Sequence, residues 1–269
     1  MKKWIAFLLC AVLTLSLFAG CGKTDDHIIT VAASPTPHAE ILKIAAKELE
    51  KEGYTLKVVE YADYIIPNEV TESGDVDANY FQHTPYLATF NQENGTHLVP
   101  VASIHYEPFG IYAGTCTSLE GLSDGAKIAI PNDGSNRARA LLLLQEQGIL
   151  KLKDGAGMEA TKLDIVETYP ENLEIVEMEA AQLPKVLDSV DLAVINGNYA
   201  LGAGLTASVD ALATEDAASE PAQLYANILV VKDGNQESEK TQALKKALQS
   251  DAVRDYINEA YSGAVVPVF

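Results

Sequence analysis

The chain has 269 residues, 48% hydrophobic and 21% charged, and its formal net charge is −19 at pH 7. Such an acidic balance argues against a nucleic-acid partner, because phosphates select basic surfaces. It also argues against adhesion to anionic lipid without a covalent anchor. The length suits one large domain or two lobes.

The N-terminus predicts an export leader. Lys2 and Lys3 precede a short apolar run, and small residues precede Cys21. The apolar run is too short for a comfortable membrane span. Residues 18–21, Phe-Ala-Gly-Cys, resemble the lipobox of bacterial lipoproteins, with phenylalanine where leucine is usual. An ordinary secretory signal followed by an incidental cysteine is the alternative.

We therefore predict a signal peptide over residues 1–20 and a lipidated tether over residues 21–27, with acyl groups (palmitate among them) on Cys21. Loss of the leader would take the net charge from −19 to −21, because two lysines leave with it. Cys10 leaves as well, so Cys116 is the lone free thiol of the mature chain. No C-x-x-C or spaced Cys/His set is present, which argues against a structural zinc site.

Apolar periodicity predicts alternating strands and helices along the mature chain. The predicted strands cover residues 28–33, 55–60, 76–81, 98–104, 127–130, 173–177, 192–195 and 225–231. The predicted helices cover residues 37–52, 67–74, 85–93, 137–147, 180–187, 238–249 and 252–260. Strands that alternate with helices predict an α/β protein with mainly parallel sheets flanked by helices.

The α/β pattern restarts after a turn-rich connector, which predicts two lobes facing one cleft. We predict that the first lobe begins with residues 28–108 and that residues 109–224 form the second lobe. Residues 225–269 then return to the first lobe. The predicted crossings between the lobes are residues 104–113 and 225–231.

The most informative segment joins a predicted strand to a predicted helix. It carries Tyr80, Phe81 and Tyr86 together with His83. The Thr-Pro pair at residues 84–85 predicts an N-cap followed by proline at the first helical position. Aromatic faces and fixed hydrogen-bonding groups around a helix start are typical of a small-molecule pocket. The alternative is an aromatic core cluster.

A second candidate segment follows the strand at residues 127–130. The chain turns and enters a helix predicted to be capped by Asp133 or Ser135. Arg137 and Arg139 are predicted in its first turn, where the helix dipole disfavours a cation. An incoming carboxylate would explain them, because guanidinium binds carboxylate at two points. Otherwise both arginines project to solvent or pair with nearby acids.

Asparagines supply the remaining candidate groups. Asn196 and Asn198 follow an apolar strand, at the edge where open α/β folds place ligands. An ordinary Asn-Gly turn is the alternative reading of this segment. Asn227 lies inside an apolar strand and must find a partner or face a wet cleft.

Motifs for catalysis are missing from the sequence. It contains no G-x-S-x-G, no H-E-x-x-H and no correctly spaced P-loop. Its five histidines form no metal-ligand pair at helical spacing. We therefore expect no catalytic residues, no metal and no cofactor.

The ordered motifs resemble the methionine-binding lipoproteins of bacterial ABC importers, the MetQ/NlpA-like substrate-binding proteins. The likeness runs through the whole mature chain. It is carried by Asp63-Tyr64, Pro67-Asn68-Glu69, Asp77-Ala78-Asn79-Tyr80-Phe81-Gln82-His83, Pro85-Tyr86-Leu87, Glu107-Pro108, Pro131-Asn132-Asp133, Arg139, Ala181-Gln182-Leu183-Pro184 and Ile195-Asn196. Residues 219–225 depart from the family, which usually has a shorter Ser-Pro-Tyr.

The resemblance implies a two-lobe periplasmic-binding-protein-like fold, each lobe a mixed sheet flanked by helices, with the ligand between them. It implies that Arg139 holds an α-carboxylate and that Asn196 and Asn227 lie near the amino-acid head group. Whether Asn198 or Tyr225 joins the site stays open. The residues implied for the thioether side of the pocket are Tyr64, Phe81, His83 and Tyr86.

The expected function is capture of L-methionine, or of D-methionine, by a lipid-anchored protein on the extracytoplasmic face of the cell membrane. The expected partners are the permease and the ATPase of an importer. A methionine-containing dipeptide or another apolar amino acid is an alternative ligand within the same class. From other classes, a surface hydrolase using His83 or Glu107 and an adhesion protein are the competing hypotheses.

Overall fold

The computed structural model of the protein describes residues 26–216 and 224–269. The predicted signal peptide, Cys21 and the start of the predicted tether lie outside the described residues. In the part that is described, no helix is long and apolar enough to cross a membrane.

The elements form two sheets with flanking helices. The strands are β1 Ile28–Ala33, β2 Thr55–Glu60, β3 Ala78–His83, β4 Leu98–Tyr106, β5 Gly110–Ala113, β6 Lys127–Pro131, β7 Leu150–Leu152, β8 Ile165–Thr168, β9 Glu174–Met178, β10 Leu192–Ile195, β11 Ala211–Thr214, β12 Asn227–Lys232 and β13 Val266–Pro267. The α-helices are α1 Glu40–Lys51, α2 Ile66–Ser73, α3 Thr84–Asn94, α4 Gly134–Glu146, α5 Gly197–Gly202, α6 Ala207–Asp210, α7 Glu239–Leu248 and α8 Asp251–Tyr261. The two-lobe fold expected from the sequence is confirmed.

The first sheet has the strand order β13-β4-β12-β3-β1-β2. Its β1 pairs in parallel with β2 and β3, as α/β alternation predicts. However, β12 runs antiparallel between β3 and β4, and β13 runs antiparallel to β4. The sheet is therefore mixed, because strands from the end of the chain enter it from the opposite direction.

The second sheet has the order β11-β5-β10-β6-β9. Here β6 pairs in parallel with β9 and β10, whereas β5 is antiparallel to β10 and β11. Strands β7 and β8 form a separate antiparallel pair. Most of the strand residues of β6 and β10 are fully buried, as the near-continuous apolar runs of both strands predict.

Each lobe has its own hydrophobic core. In the first lobe, α1 buries Ile41, Leu42, Ala45 and Leu49, which recur at helical spacing, against the sheet and against α7 and α8. In the second lobe, α4 buries a leucine-rich face against β6 and β10. Burial of each such leucine or isoleucine contributes about 1.5–3 kcal/mol, which holds the lobe rigid enough to position side chains at its edge.

The chain passes between the sheets twice. Between β4 and β5 it does so directly through Glu107, Pro108 and Phe109. Between β11 and β12 it does so through a connection that is only partly described. The predicted division at residues 108 and 109 falls inside the first of these connections, which lies beside the cleft between the lobes.

Several boundaries differ from the sequence prediction, each for a local reason. Helix α3 is capped by His83 and not by Thr84, because the His83 Nδ1 accepts a hydrogen bond from the Tyr86 N–H at 3.2 Å. The helix predicted over residues 180–187 is instead two 3₁₀ turns, since Pro184 removes a backbone donor from its middle. Strands β3 and β12 each begin two residues later than predicted.

Candidate ligand-binding site

A small cavity lies between the lobes, where β3 and β10 end and β12 begins. This is the edge at which open α/β sheets bind ligands. The side chains around it come from both lobes. They are Tyr64, Phe81, Gln82, His83, Tyr86, Glu107, Asn136, Arg139, Asn196, Gly197, Asn198 and Asn227. All seven residues predicted from the sequence to bind a ligand are in this set.

One side of the cavity is aromatic. The ring centroid of Tyr64 lies 5.7 Å from that of Phe81 and 5.6 Å from that of Tyr86. The Tyr86 hydroxyl donates a 2.9 Å hydrogen bond to the Tyr64 backbone carbonyl, which orients the Tyr86 ring. Tyr80 points to the other face of β3, into the core, because side chains alternate along a strand. The aromatic run therefore divides between a core residue and a wall that suits an apolar, polarizable side chain.

The opposite side holds the cation Arg139. Its Nε and Nη2 donate to the Glu215 carboxylate at 2.7 and 2.5 Å, and Nη2 also donates to the Glu107 carbonyl at 3.1 Å. Within the described chain Nη1 forms no hydrogen bond. The guanidinium carbon lies 4.2 Å from the ring centroid of Tyr225 and 4.8 Å from that of Phe109. Arg139 is thus rigidly held, with two N–H groups left for a ligand.

The ion pair decides the charge of both partners. Burial alone would favour the neutral form of each group. The Glu215 carboxylate nevertheless raises the pKa of Arg139 above its ordinary value, and Arg139 lowers the pKa of Glu215. The site therefore presents a permanently charged guanidinium, which is suited to two-point recognition of a carboxylate.

The position of Arg139 on its helix differs from the prediction. Helix α4 begins at Gly134, so Arg139 lies in the second turn and not the first. Asp133 caps the helix, as one of the two predicted alternatives, and accepts from the Asn136 N–H at 2.9 Å. Arg137 points away from the cavity, is 24% exposed and lies 3.8 Å from the Glu177 carboxylate. Glu215, and not the helix start, therefore accounts for the buried arginine.

His83 joins the two lobes at the cavity. Its Nδ1 is occupied as the acceptor for Tyr86, so its Nε2 donates to Asn136 Oδ1 at 3.1 Å. Asn136 Oδ1 also accepts from Asn196 Nδ2 at 2.9 Å. Burial lowers the pKa of His83 to about 3, and the positive charge of Arg139 adds to this effect. His83 is a neutral hydrogen-bonding group at pH 7.

Asn196 leaves one acceptor open. Its Oδ1 is buried and has no hydrogen-bond partner among residues 26–216 and 224–269. A buried amide oxygen without a partner costs free energy, because it has lost its water. A ligand N–H donor at this point in the cavity would remove that cost.

Three buried side chains at the cavity have nitrogen or oxygen atoms of the kind that bind metal ions, and these atoms lie within 4.8 Å of one another. The residues are His38, His105 and Glu107. We call them the His–Glu cluster. In the structure these atoms hydrogen-bond, since His105 Nε2 lies 2.7 Å from Glu107 Oε1 and His38 Nε2 donates to Asn227 Oδ1 at 2.9 Å. The Tyr80 hydroxyl contacts His105 Nδ1. His105 and Glu107 are two positions apart, whereas His38 comes from a distant segment, and spacing along the chain could not reveal that it joins them.

Contacts between the lobes close the cavity. The Tyr64 hydroxyl donates to Asn198 Oδ1 at 2.5 Å, and the Tyr199 hydroxyl donates to the Ala62 carbonyl at 3.0 Å. A wider apolar groove lies on the outer side of Tyr64 and Tyr86. The two tyrosines therefore separate the cavity from the groove.

Some residues at the cavity were not foreseen as site residues. Glu107 was named only in the family motif and in the competing hydrolase hypothesis, and Asn136 was not singled out. Asn198, left open from the sequence, lines the cavity, whereas Tyr225 stacks on Arg139 behind it. The sequence did contain a signal for Glu107: it is the one acidic residue in the largely apolar segment 104–113, which was predicted to cross between the lobes.

Comparison with known proteins places the chain in a family of lipoproteins. A family model described as NlpA lipoprotein matches residues 29–269. The D-methionine-binding lipoprotein MetQ of Escherichia coli (strain K12) is 40% identical over 252 residues, which cover 92% of this chain and 91% of that protein. The membrane lipoprotein TpN32 of Treponema pallidum is 42% identical over 98% of this chain and 97% of its own.

Solved structures give the same relationship. A nutrient-binding protein from Burkholderia cenocepacia, bound to methionine, is 44% identical and superposes with a TM-score of 0.85 over 90% of this chain and 100% of that chain. The methionine-binding protein MetQ superposes with a TM-score of 0.85 at 39% identity, over 90% of this chain and 98% of that chain.

Proposed function

Because this chain belongs to the NlpA lipoprotein family, we propose that it is a lipid-anchored solute-binding protein that captures L-methionine for an ABC importer. D-methionine is a second candidate ligand. The partners are the permease and the ATPase of that importer. The protein acts on the extracytoplasmic face of the cell membrane, held there by acyl groups on Cys21.

One observation carries the proposal: the same cavity joins an aromatic wall to an arginine that has free donors. Tyr64, Phe81 and Tyr86 suit a thioether, because sulfur–aromatic contacts contribute roughly 0.3–1.5 kcal/mol. Arg139 Nη1 supplies donors for an α-carboxylate. An apolar side chain attached to a charged head group would satisfy both ends.

The relatives support this assignment. The curated relatives include D-methionine-binding lipoproteins, and a structural neighbour was solved with methionine bound. In this chain the family resemblance stated from the sequence is confirmed, and it extends over residues 29–269.

Binding rather than catalysis fits the chemistry of the cavity. None of the twelve described residues that line it is a serine, threonine or cysteine. A hydrolase that used His83 as a base would need a nucleophile within hydrogen-bond reach. The His83 ring instead holds Asn136 and the Tyr86 amide.

The test is a titration of protein that lacks the leader and Cys21. Because ligand can remain bound through purification, the protein is unfolded, refolded and then titrated by calorimetry with L-methionine, D-methionine, leucine and a glycyl-methionine dipeptide. We expect L-methionine to bind most tightly. At about 100 times its dissociation constant it should add roughly 2.7 kcal/mol to the free energy of unfolding.

Mass spectrometry of the material released on unfolding identifies any ligand that was retained. Tighter binding of the dipeptide than of methionine would change the ligand but keep the function class. Absence of binding to every amino acid and to the dipeptide would overturn the proposal.

A further inference from the structure

The groove on the outer side of Tyr64 and Tyr86 is a second concave site between the lobes. Its volume is about 500 Å³, and small-molecule sites in proteins span about 300–1,000 Å³. The first lobe contributes residues 63–66 and one face of α3, and the second lobe contributes residues 132–134, 179–181 and Tyr199. A ligand in the groove would therefore contact both lobes at once.

Part of the groove wall is apolar and open to water. Ile65 and Ile66 line it and are 55% and 40% exposed. Phe90 lines it as well, and its ring is stacked on that of Tyr86 with the centroids 6.2 Å apart. Single apolar side chains on a surface are normal, whereas neighbouring ones at a concave surface indicate a binding site.

Tyrosines from both lobes meet in the groove. The ring centroids of Tyr64 and Tyr199 lie 4.9 Å apart across the cleft. The Tyr199 hydroxyl donates a 3.0 Å hydrogen bond to the Ala62 carbonyl, which holds the ring against the first lobe. The face of an aromatic ring carries negative potential and attracts a cation that lies within about 6 Å of the ring centroid.

The groove is also acidic. Four acidic side chains line it, two from each lobe, and no lysine or arginine lines it among residues 26–216 and 224–269. Over the same residues none of the four forms an ion pair. A cleft lined by charges of one sign concentrates the electrostatic potential and attracts ligands of the opposite sign. The four residues are Asp63, Glu93, Asp133 and Glu179.

The acidic side chains are close enough to act on the tyrosines. Burial raises the pKa of the Tyr86 hydroxyl, and the negative charges of Asp63 and Glu93 add to this effect. Burial likewise raises the pKa of Tyr199, with additions from Asp63 and Glu179. A cation at the tyrosine rings would therefore also be attracted by the acidic side chains around them.

The two properties together select one class of ligand. An anion would be repelled by the acidic side chains, and a neutral apolar molecule would make no use of them. A small inorganic cation would leave the isoleucines and Phe90 in water. A positive group attached to an apolar body would satisfy both parts of the groove, and the volume suits a small molecule.

We propose that the groove is a second ligand-binding site, which takes a small organic cation with an apolar body, such as an arylalkyl amine. This inference goes beyond the proposed function, because Tyr64 and Tyr86 separate the groove from the cavity. The ligand would lie between the lobes, so its binding favours their closed arrangement.

The test uses three probes that share one ring and differ in charge. They are 2-phenylethylamine, 2-phenylethanol and 3-phenylpropionate, which are a cation, a neutral molecule and an anion at pH 7. A fourth probe, the tetrapeptide Phe-Lys-Leu-Lys with blocked ends, represents a basic segment of a protein. Each is titrated by calorimetry into refolded protein that lacks the leader and Cys21, with and without saturating L-methionine.

Matched variants locate the bound probe. Glu93→Gln/Glu179→Gln removes one acidic side chain from each lobe, and neither side chain forms a hydrogen bond within the described part of the chain. Glu50→Gln/Glu259→Gln removes two exposed acidic side chains far from the groove and serves as the control. Ile65→Ser removes apolar surface at the position before α2, where serine is a favourable N-cap.

We expect 2-phenylethylamine to bind with a dissociation constant of about 1 mM or lower, and the other two ring probes to bind more weakly. Glu93→Gln/Glu179→Gln should weaken binding of the amine by about 2- to 30-fold, and Ile65→Ser by about 3- to 10-fold. The control should bind the amine as wild type. High salt should weaken binding, because it screens exposed charges. Methionine should strengthen it, because methionine also favours closed lobes.

Four outcomes would overturn the inference. Equal binding of the alcohol and the amine would show that charge plays no part. Competition between methionine and the amine would place the amine in the cavity. An equal effect of the two double variants would reduce the attraction to net charge. Binding of the tetrapeptide more than tenfold tighter than that of the amine would make the groove a site for a protein segment. Failure of methionine itself to bind would count against the proposed function and leave the comparison of probes and variants in force.

Discussion

Arg139 and Glu215 form a two-point ion pair within the second lobe, with hydrogen bonds of 2.7 and 2.5 Å. Helix α4 carries the arginine, and the glutamate directly follows β11 of the same sheet. The donor for a ligand carboxylate is therefore in position before the lobes close. The aromatic wall belongs to the first lobe, so closure brings a preformed head-group site onto a preformed side-chain site.

Arg139→Ala should abolish tight methionine binding. Loss of one partner of a buried charge pair typically costs about 2–5 kcal/mol, or roughly 30-fold to several thousand-fold in the dissociation constant. The variant should also lose about 3–5 kcal/mol of folding stability, because Glu215 is left buried without its partner. Calorimetric titration and urea unfolding measure the two effects.

Two further variants control this experiment. Adding Glu215→Gln to Arg139→Ala should restore part of the stability and none of the affinity, since it removes the stranded charge. Arg137→Ala, which loses only the contact with Glu177, should bind methionine as wild type. Strong binding by Arg139→Ala would place the carboxylate elsewhere in the cavity.

Phe81→Ala should reduce the preference for methionine over alanine. The lost sulfur–aromatic contact alone is worth about 0.3–1.5 kcal/mol, which is roughly 2- to 12-fold in affinity. Affinity for alanine should change less, because its side chain does not reach the wall. The ratio of the two dissociation constants is the measurement, and Tyr86→Phe, which keeps the ring, is the matched control. An unchanged ratio would show that the side chain lies elsewhere.

Tyr64→Phe should favour the open state of the ligand-free protein. It removes the 2.5 Å hydrogen bond to Asn198 that joins the lobes, and such a bond is worth about 0.5–1.5 kcal/mol. We expect a larger radius of gyration by solution scattering and methionine binding about 2- to 12-fold weaker. Tyr61→Phe, in the same connection but outside the cavity and the groove, should change neither quantity.

The buried histidines should make the protein sensitive to mild acid. Burial lowers the pKa of His38 to about 4 and that of His83 and His105 to about 3, against about 6.5 in an unfolded chain. A depressed folded pKa gives stability that is complete above pH 6.5 and is lost as the pH falls toward 4 and then 3. Each histidine contributes a slope of up to about 1.4 kcal/mol per pH unit.

Two acids oppose this slope. Burial raises the pKa of Glu107 and Asp133, so these groups add stability as the pH falls. Urea unfolding at pH 7.5, 6 and 5 should still show a net loss in the free energy of unfolding as the pH falls. In His83→Gln the slope of that loss should be smaller by up to about 1.4 kcal/mol per pH unit, which is the contribution of one histidine. Ring signals of the three histidines that moved near pH 6.5 in a nuclear magnetic resonance titration would contradict the assignment.

Cys21→Ser should release the protein from the membrane. A single acyl chain anchors only marginally, so stable attachment needs the multiple acylation that lipoproteins carry. Fractionation of cells should find wild type with the membrane and the variant in soluble or unprocessed form. If the serine variant remains wholly with the membrane, the anchor lies elsewhere in the chain.

Much of the framework could be predicted from the sequence. Strands β1, β2 and β10 have the predicted limits: β1 and β10 are short apolar runs, and β2 alternates polar with apolar residues at its start. The seven predicted ligand-binding residues all line one cavity, and Phe81, His83, Asn196 and Asn227 do so because strand ends meet at one edge of a sheet. Their individual roles stay predictions until the variants above are measured.

What could not be predicted depends on partners distant in the chain. Glu215 lies 76 positions after Arg139, and no local pattern links them. Helix α3 begins one residue early because the His83 ring, and not the Thr84 hydroxyl, caps it. The closeness of Gly197 to Glu107 is likewise visible only in three dimensions.

The order of strands in the first sheet has a consequence for how the protein is made. Strand β12 lies between β3 and β4, although it comes from residues 227–232 and they come from residues 78–106. The first lobe therefore stays incomplete until nearly the whole chain is available, whereas the second sheet is built from one continuous stretch. While the rest of the chain is being made, residues 78–106 must be kept from wrong pairings, because unpaired strand edges invite aggregation.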